Sequence, residues 1–278
     1  MMKYFVLDTF SGAGGFSLGF EKAGCEIIGA IETDKWASET FARNHPNAVM
    51  LNCDITTLSN NDLTETFREK KPTIILGGPP CQGFSICNRN AGDPKDPRNT
   101  LFKDFIRIGS VFEPDILIME NVPNLVRAKT HSKKRVTDII TDELESVGYS
   151  VYSKILQATD YGIPQIRKRL FVIASKKVLD RPFPRETHCV SDGQRSLFPE
   201  KRLPCPSLWE AISDLPPLEA GEGSEESDYH AECQNEYPHS PAFSGSSFEA
   251  TGSEDLYATE PVFRRQFSPF DLYPAFAG

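Results

Sequence analysis

The sequence predicts an α/β fold built on a mostly parallel, doubly wound sheet, and three observations carry that expectation. Short apolar runs rich in branched residues recur through the first 175 positions, stretches of helical composition lie between them, and Gly, Pro or Asp marks the joins. Strands that alternate with helices are joined by crossovers, which is the connection a parallel sheet requires.

Residues 4–7, 27–31, 49–51, 74–76, 116–119 and 170–174 read as buried strands, being short and apolar on both faces. Residues 16–23, 35–44, 62–70, 101–112 and 136–147 read as the crossover helices. After Ser175 the alternation stops, prolines recur, and only 207–215 looks helical. Residues 1–178 are therefore expected to form the principal domain, 179–220 a Pro-rich extension with one short helix, and 221–278 an acidic irregular tail or the cut-off start of a variable region.

Bulk properties agree with a globular chain. At 278 residues, 39% hydrophobic and 25% charged, it can bury a core without disulfide or metal staples. No apolar run is long enough to span a bilayer, and the N-terminus lacks the basic, apolar and small-residue series of a signal peptide, so a soluble cytoplasmic protein with no membrane partner is expected. Seven cysteines, at 25, 53, 81, 87, 189, 205 and 233, form an odd set without regular short spacing. They read as reduced thiols, one of them reactive. His230 and Cys233 belong to no paired-ligand motif, and no metal is expected.

The net charge of −9 is unevenly spread. Residues 210–278 hold fourteen acidic residues against two arginines, which leaves 28 basic and 25 acidic residues in the body. A mildly basic body is compatible with phosphate contacts; the acidity belongs to the tail.

Chemistry concentrates where strands end. The first strand runs into Asp8-Thr-Phe-Ser-Gly-Ala-Gly-Gly15, a strand, glycine turn and helix start of the kind that lets a cofactor approach backbone. Phe10, Gly12, Gly14 and Gly15 are its candidate contacts; a purely structural turn is the alternative. Glu32 follows the second strand, where a carboxylate can accept from a ribose diol. Asp54 and Ile55 follow the third, and Asp54 reads equally as an acceptor for an adenine amine or as a helix N-cap.

The fourth strand enters Gly77-Gly-Pro-Pro-Cys81-Gln-Gly-Phe-Ser85. A cysteine on a Pro-Pro-flanked loop at the carboxyl edge of a sheet is placed for nucleophilic attack, whereas Cys25 and Cys53 read as small core residues. The fifth strand delivers Glu120-Asn-Val to the same edge. Gln165-Ile-Arg167-Lys-Arg169 precedes the last strand, and period-two alternation sends both arginines to one face.

Residues 10–15, Glu32, Asp54, 79–85, 120–122 and 165–169, in this order and spacing, resemble the motif series of the DNA cytosine C5-methyltransferases. The resemblance covers residues 3–175, including Arg98-Asn-Thr-Leu101, and continues more weakly through 208–221. It implies an S-adenosylmethionine-dependent enzyme of restriction–modification in a bacterial cell, acting on double-stranded DNA. Cys81 would add to C6 of a flipped cytosine, Glu120 would hold the ring N3 and exocyclic amine, Arg169 the O2, and Arg167 a phosphate or the loop. Phe10, Glu32, Asp54, Ile55, Pro80 and Leu101 would hold the methyl donor, and Gln82, Ser85 and Gln165 would meet DNA.

The family's target-recognition domain and final motifs are not recognisable in the last forty residues. A second polypeptide carrying them, a shortened chain and a frameshift all remain open. Two rival readings share the motifs: a cofactor-binding protein without turnover, and tRNA cytosine methylation.

Overall fold

The computed structural model describes residues 3–80, 101–130, 133–190 and 202–213. The chain divides into two units, whose described parts are residues 3–80, 101–130, 133–157 and 167–185, and residues 158–166, 186–190 and 202–213.

The first unit holds a seven-stranded sheet: β1 (Phe5–Thr9), β2 (Glu26–Glu32), β3 (Val49–Asn52), β4 (Ile74–Gly77), β5 (Ile116–Asn121), β6 (Ser150–Gln157) and β7 (Lys168–Ser175), in the order β3-β2-β1-β4-β5-β7-β6. The first five are mutually parallel, and β7 runs antiparallel to both β5 and β6. The expected mostly parallel sheet is therefore present, with a reversed strand on one flank.

Helices α1 (Gly15–Lys22), α2 (Lys35–Asn44), α3 (Asn60–Thr66), α4 (Leu101–Phe112) and α5 (Val136–Ser146) link the strands. The chain winds outward from β1 to β3, then returns to place β4 beside β1 and winds the other way. Right-handed crossovers put the helices of the two halves on opposite faces, with a topological switch point between β1 and β4. On one face α3 packs on α4 and α4 on α5; Phe67 and Phe112 meet there edge to face, 5.9 Å between centroids.

Burial explains the sequence pattern. Every position of β4 is buried, as is every position of β5 except Glu120. Flank strands differ: 49–51, expected as a buried strand, is the outer strand β3 and has no buried residue because no described strand pairs with its far edge, and β6, on the other flank, has one. The expected helix 62–70 begins earlier, at Asn60, because Ser59 and Asp62 form a reciprocal capping box, and it ends at Thr66 with Phe67 turned into the core. In the second unit, short strands β8 (His188–Cys189) and β9 (Leu203–Pro204) pair in parallel, and Thr187 N–H donates to the Asp160 carbonyl at 3.0 Å. The helix expected over 207–215 is α6 (Leu208–Ile212), capped by Ser207 and Glu210. No described helix is long and apolar enough to cross a membrane.

Candidate active site

Parallel strands deliver their carboxyl ends to one edge, so Thr9, Glu32, Asn52, Gly77 and Asn121 line up there, and the reversal of β7 brings its first residues, Lys168 and Arg169, to the same edge. Ligands of open α/β sheets bind at such an edge, at the switch point.

The chain leaves β1 through a turn in which Phe10 (φ 59°), Gly12 (55°) and Gly14 (95°) all take left-handed backbone. Holding a side chain in that region at Phe10 costs on the order of 1–3 kcal/mol. Hydrogen bonds offset it: the N–H groups of Phe10 and Ser11 both donate to the Ile31 carbonyl, at 2.9 and 3.3 Å. Gly14 is approached closely, since a Cβ there would stand 2.8–2.9 Å from ring atoms of His45 and Phe41. Gly12 is the opposite case: among the described residues nothing lies within 4 Å of where a Cβ would stand. Among the described residues the loop thus leaves the backbone at Gly12 uncovered, and Gly15 then opens α1.

Glu32 ties this loop to β2. Its Oε2 accepts from Gly12 N–H and its Oε1 from Asp34 N–H, each at 2.8 Å. Each oxygen keeps a lone pair for a further donor. Asp54 caps a 3-10 turn, Ile55–Thr57: Oδ1 accepts from the Thr56 N–H at 2.9 Å and hydroxyl at 2.8 Å. The N-cap reading therefore holds, while the exposed Oδ2 has no hydrogen bond among the described residues. Ile55 is buried, Leu101 and Phe10 are part-buried against the same core, and Pro80 is part-buried beside Pro79, whose carbonyl accepts from Asn121 Nδ2 at 2.9 Å.

Glu120 is the half-exposed position of an otherwise buried strand. Because β4 and β5 pair Gly77 with Met119, Gly78 falls beside Glu120, and Glu120 Oε2 lies 3.8 Å from where a Cβ on Gly78 would stand. Oε1 pairs with Arg169 Nε at 2.8 Å. Burial pushes the Glu120 pKa up, against the pull of Arg169 and Arg167. Arg167 is itself pushed down, by burial first and then by Arg169. The alternation read from the sequence thus brings both arginines to Glu120, one by contact and one through its field. Gln165 is exposed, in the segment assigned to the second unit. Cys81, Gln82 and Ser85 lie outside the described residues.

Three contributors escaped sequence reasoning. Asp8, 1% exposed, accepts from Ser17 Oγ at 2.7 Å beneath the glycine loop. Burial pushes its pKa up to about 7, the hydrogen bonds from Ser17 working in the other direction. A carboxylate in an apolar strand run was the available signal. Asn44 and His45, at the end of α2, reach back to the same loop, and no short-range pattern announces that contact. Among the described residues no cluster of His, Cys, Asp or Glu could hold a metal.

With this geometry in place, comparison with known proteins is specific. The model of the C-5 cytosine-specific DNA methylase family matches residues 4–249. The type II methyltransferase M.DdeI of Desulfomicrobium norvegicum is 46% identical over 235 residues, 84% of this chain and 53% of that protein. M.AquIA of Picosynechococcus, also a type II methyltransferase, is 31% identical over 221 residues, 76% of this chain and 89% of that protein. Among solved structures, a prophage-encoded Escherichia coli protein described as a DNA modification methyltransferase superposes with a TM-score of 0.62 at 29% identity, covering 78% of this chain and 56% of the other. The chain spans about half the length of curated relatives such as M.DdeI.

Proposed function

The chain belongs to the C-5 cytosine-specific DNA methylase family, and on that premise we propose that it methylates C5 of a flipped cytosine in DNA, through a covalent adduct to Cys81, within a type II restriction–modification system. The observation that supports this best is the Glu120–Arg169 pair, set beside Gly78 three residues before Cys81.

S-adenosylmethionine supplies an electrophilic methyl group. The residues fit it: open space over Gly12 admits a ligand against bare backbone, and the Glu32 oxygens retain lone pairs for a ribose diol. Phe10, Ile55, Pro80 and Leu101 would form apolar walls, and Asp54 Oδ2 would accept from the adenine amine.

The cytosine must leave the stack to be reached. Cys81 thiolate then adds to C6, forming an S–C6 bond and making C5 nucleophilic, which divides one difficult step into easier ones. Glu120, with a pKa raised by burial, gives a proton to ring N3 as electron density moves onto it and takes it back when the adduct collapses. Arg169 holds Glu120 and offers donors to O2. After methyl transfer, loss of the C5 proton and elimination of the Cys81 sulfur restore the aromatic ring. Arg167 is assigned to phosphate or to support of the loop, and Gln82, Ser85 and Gln165 to DNA.

Reading of the target sequence is assigned to the part of the longer relatives that this chain does not match. A second polypeptide is one way to supply it: M.AquIA, matched over 89% of its length, shows that a chain of similar span carries the type II methyltransferase name.

The test is trapping on a DNA duplex with 5-fluorocytosine at the target, with and without a complementing polypeptide. The expected outcome is a covalent adduct mapping to Cys81 and absent from Cys81→Ala. Equal methyl transfer by the wild-type and Cys81→Ala proteins would remove the nucleophile, and absence of any adduct or turnover would leave a cofactor-binding protein.

A further inference from the structure

We propose that Asn44 and His45 are positioning residues for the methyl-donor loop, an inference that rests on reading residues 10–15 as that loop. The two side chains engage consecutive carbonyls from outside it. Asn44 Nδ2 donates to the Ala13 carbonyl at 3.2 Å, and His45 Nε2 lies 3.3 Å from the Gly14 carbonyl, which also accepts from Leu18 N–H at 2.9 Å. A carbonyl can only accept, so His45 carries its proton on Nε2.

The consequence follows from peptide planarity. The Ala13 carbonyl shares a rigid plane with the Gly14 N–H, and the Gly14 carbonyl shares one with the Gly15 N–H. Drawing both carbonyls toward the end of α2 turns the opposite edges of those planes away from it: the Gly14 N–H donates to the Ser11 carbonyl at 3.1 Å, which fixes the turn of the loop, and the Gly15 N–H is left for a ligand. The Gly15 N–H, in the first turn of α1, is a donor without an intrahelical partner, so its direction matters to any ligand over the loop.

His45 is held for this task by packing: it is 2% exposed, and its ring lies 4.6 Å from that of Phe41. It also occupies the space a Cβ on Gly14 would need, which explains that glycine. Asn44, by contrast, is exposed, and its hydrogen bond to the loop is not a by-product of core packing. Neither residue is placed to touch the ligand; both act through the loop.

The experiment is calorimetric titration of the full chain with S-adenosylhomocysteine, alongside thermal melts. Asn44→Ala should weaken binding about fivefold without lowering the melting temperature, the loss of one aligning hydrogen bond. His45→Ala should weaken it at least about tenfold, and His45→Gln, which keeps an Nε2 donor, should recover most of that affinity. If His45→Ala fails to fold, Asn44→Ala decides alone. Glu32→Ala reports on the loop reading itself. Wild-type binding that Glu32→Ala abolishes, with Asn44→Ala within twofold of wild type, overturns the positioning role and leaves the loop reading intact. Undiminished binding by Glu32→Ala, or none by the wild type, removes both.

Discussion

Replacing Asp8 with Asn should remove a pH dependence of stability that the wild-type chain carries between about pH 4 and pH 7. The carboxyl is 1% exposed, and burial pushes its pKa up to about 7 from an ordinary 3.8 despite the hydrogen bonds from Ser17. In that window the folded chain holds a proton that the unfolded chain has released. The stabilisation is therefore complete below the unfolded value and is lost as pH rises through about 7. Each pH unit in between removes somewhat over about 1 kcal/mol, so moving from pH 5 to pH 8 should take roughly 2–3 kcal/mol from the wild type that Asp8→Asn, with no proton to lose, keeps. The variant carries its own cost of about 1–3 kcal/mol at every pH, because its buried amide faces the donors of Ser17. Urea unfolding of both proteins at pH 5 and pH 8 measures the gap between them. A shift of roughly 2–3 kcal/mol in favour of the variant between pH 5 and pH 8 is expected; a gap that stays the same at both pH values refutes the protonated, buried Asp8.

Glu120→Gln should lower methyl transfer about 10²–10⁴-fold while leaving the fold intact, since the amide keeps a partner for Arg169 but cannot deliver a proton to N3; single-turnover tritium transfer reads it. Asp54 separates cap from ligand contact: Asp54→Ala should cost about 0.5–2 kcal/mol in denaturant unfolding, whereas Asp54→Asn should keep the cap to Thr56 and lose affinity for the methyl donor in calorimetry. Gly77→Ala should destabilise by about 1–3 kcal/mol, because its Cβ would stand 2.5 Å from Thr9 Oγ1 and 2.7 Å from the Phe105 ring. Gly12→Ala meets no atom of the described residues and should cost only about 1–2 kcal/mol of backbone strain, a contrast visible in parallel melts.

The sheet was legible wherever burial left a mark in sequence. Strands β1, β2, β4, β5 and β7 are apolar on both faces and stood out as runs; β6 alternates Ser, Tyr and Lys on a half-exposed flank and was missed, and with it the paired reversal of β7. Candidate site residues stood out where a fixed residue type falls at a strand end, as at Glu32 and Glu120. Asp54 left two readings, and the N-cap is the one the structure displays, Oδ1 accepting from the Thr56 N–H and hydroxyl. The contacts of Asn44 and His45 with the loop depend on how α2 lies against it, thirty-one positions along the chain, and no local pattern encodes that.

Glu32 ends β2 and Glu120 lies at the end of β5, with β1 and β4 between them. Three ladder intervals set the lateral distance between the strands that carry these carboxylates at roughly 14 Å. That dimension is written in backbone hydrogen bonds shared by four strands, and no connecting loop takes part in it. Segments beyond the edge can lengthen, be exchanged or arrive on another chain without changing the gauge between the donor side and the base side. On the proposed function, the separation between the methyl donor and the target base is thus a dimension of the sheet itself, fixed by its ladders before any loop is placed.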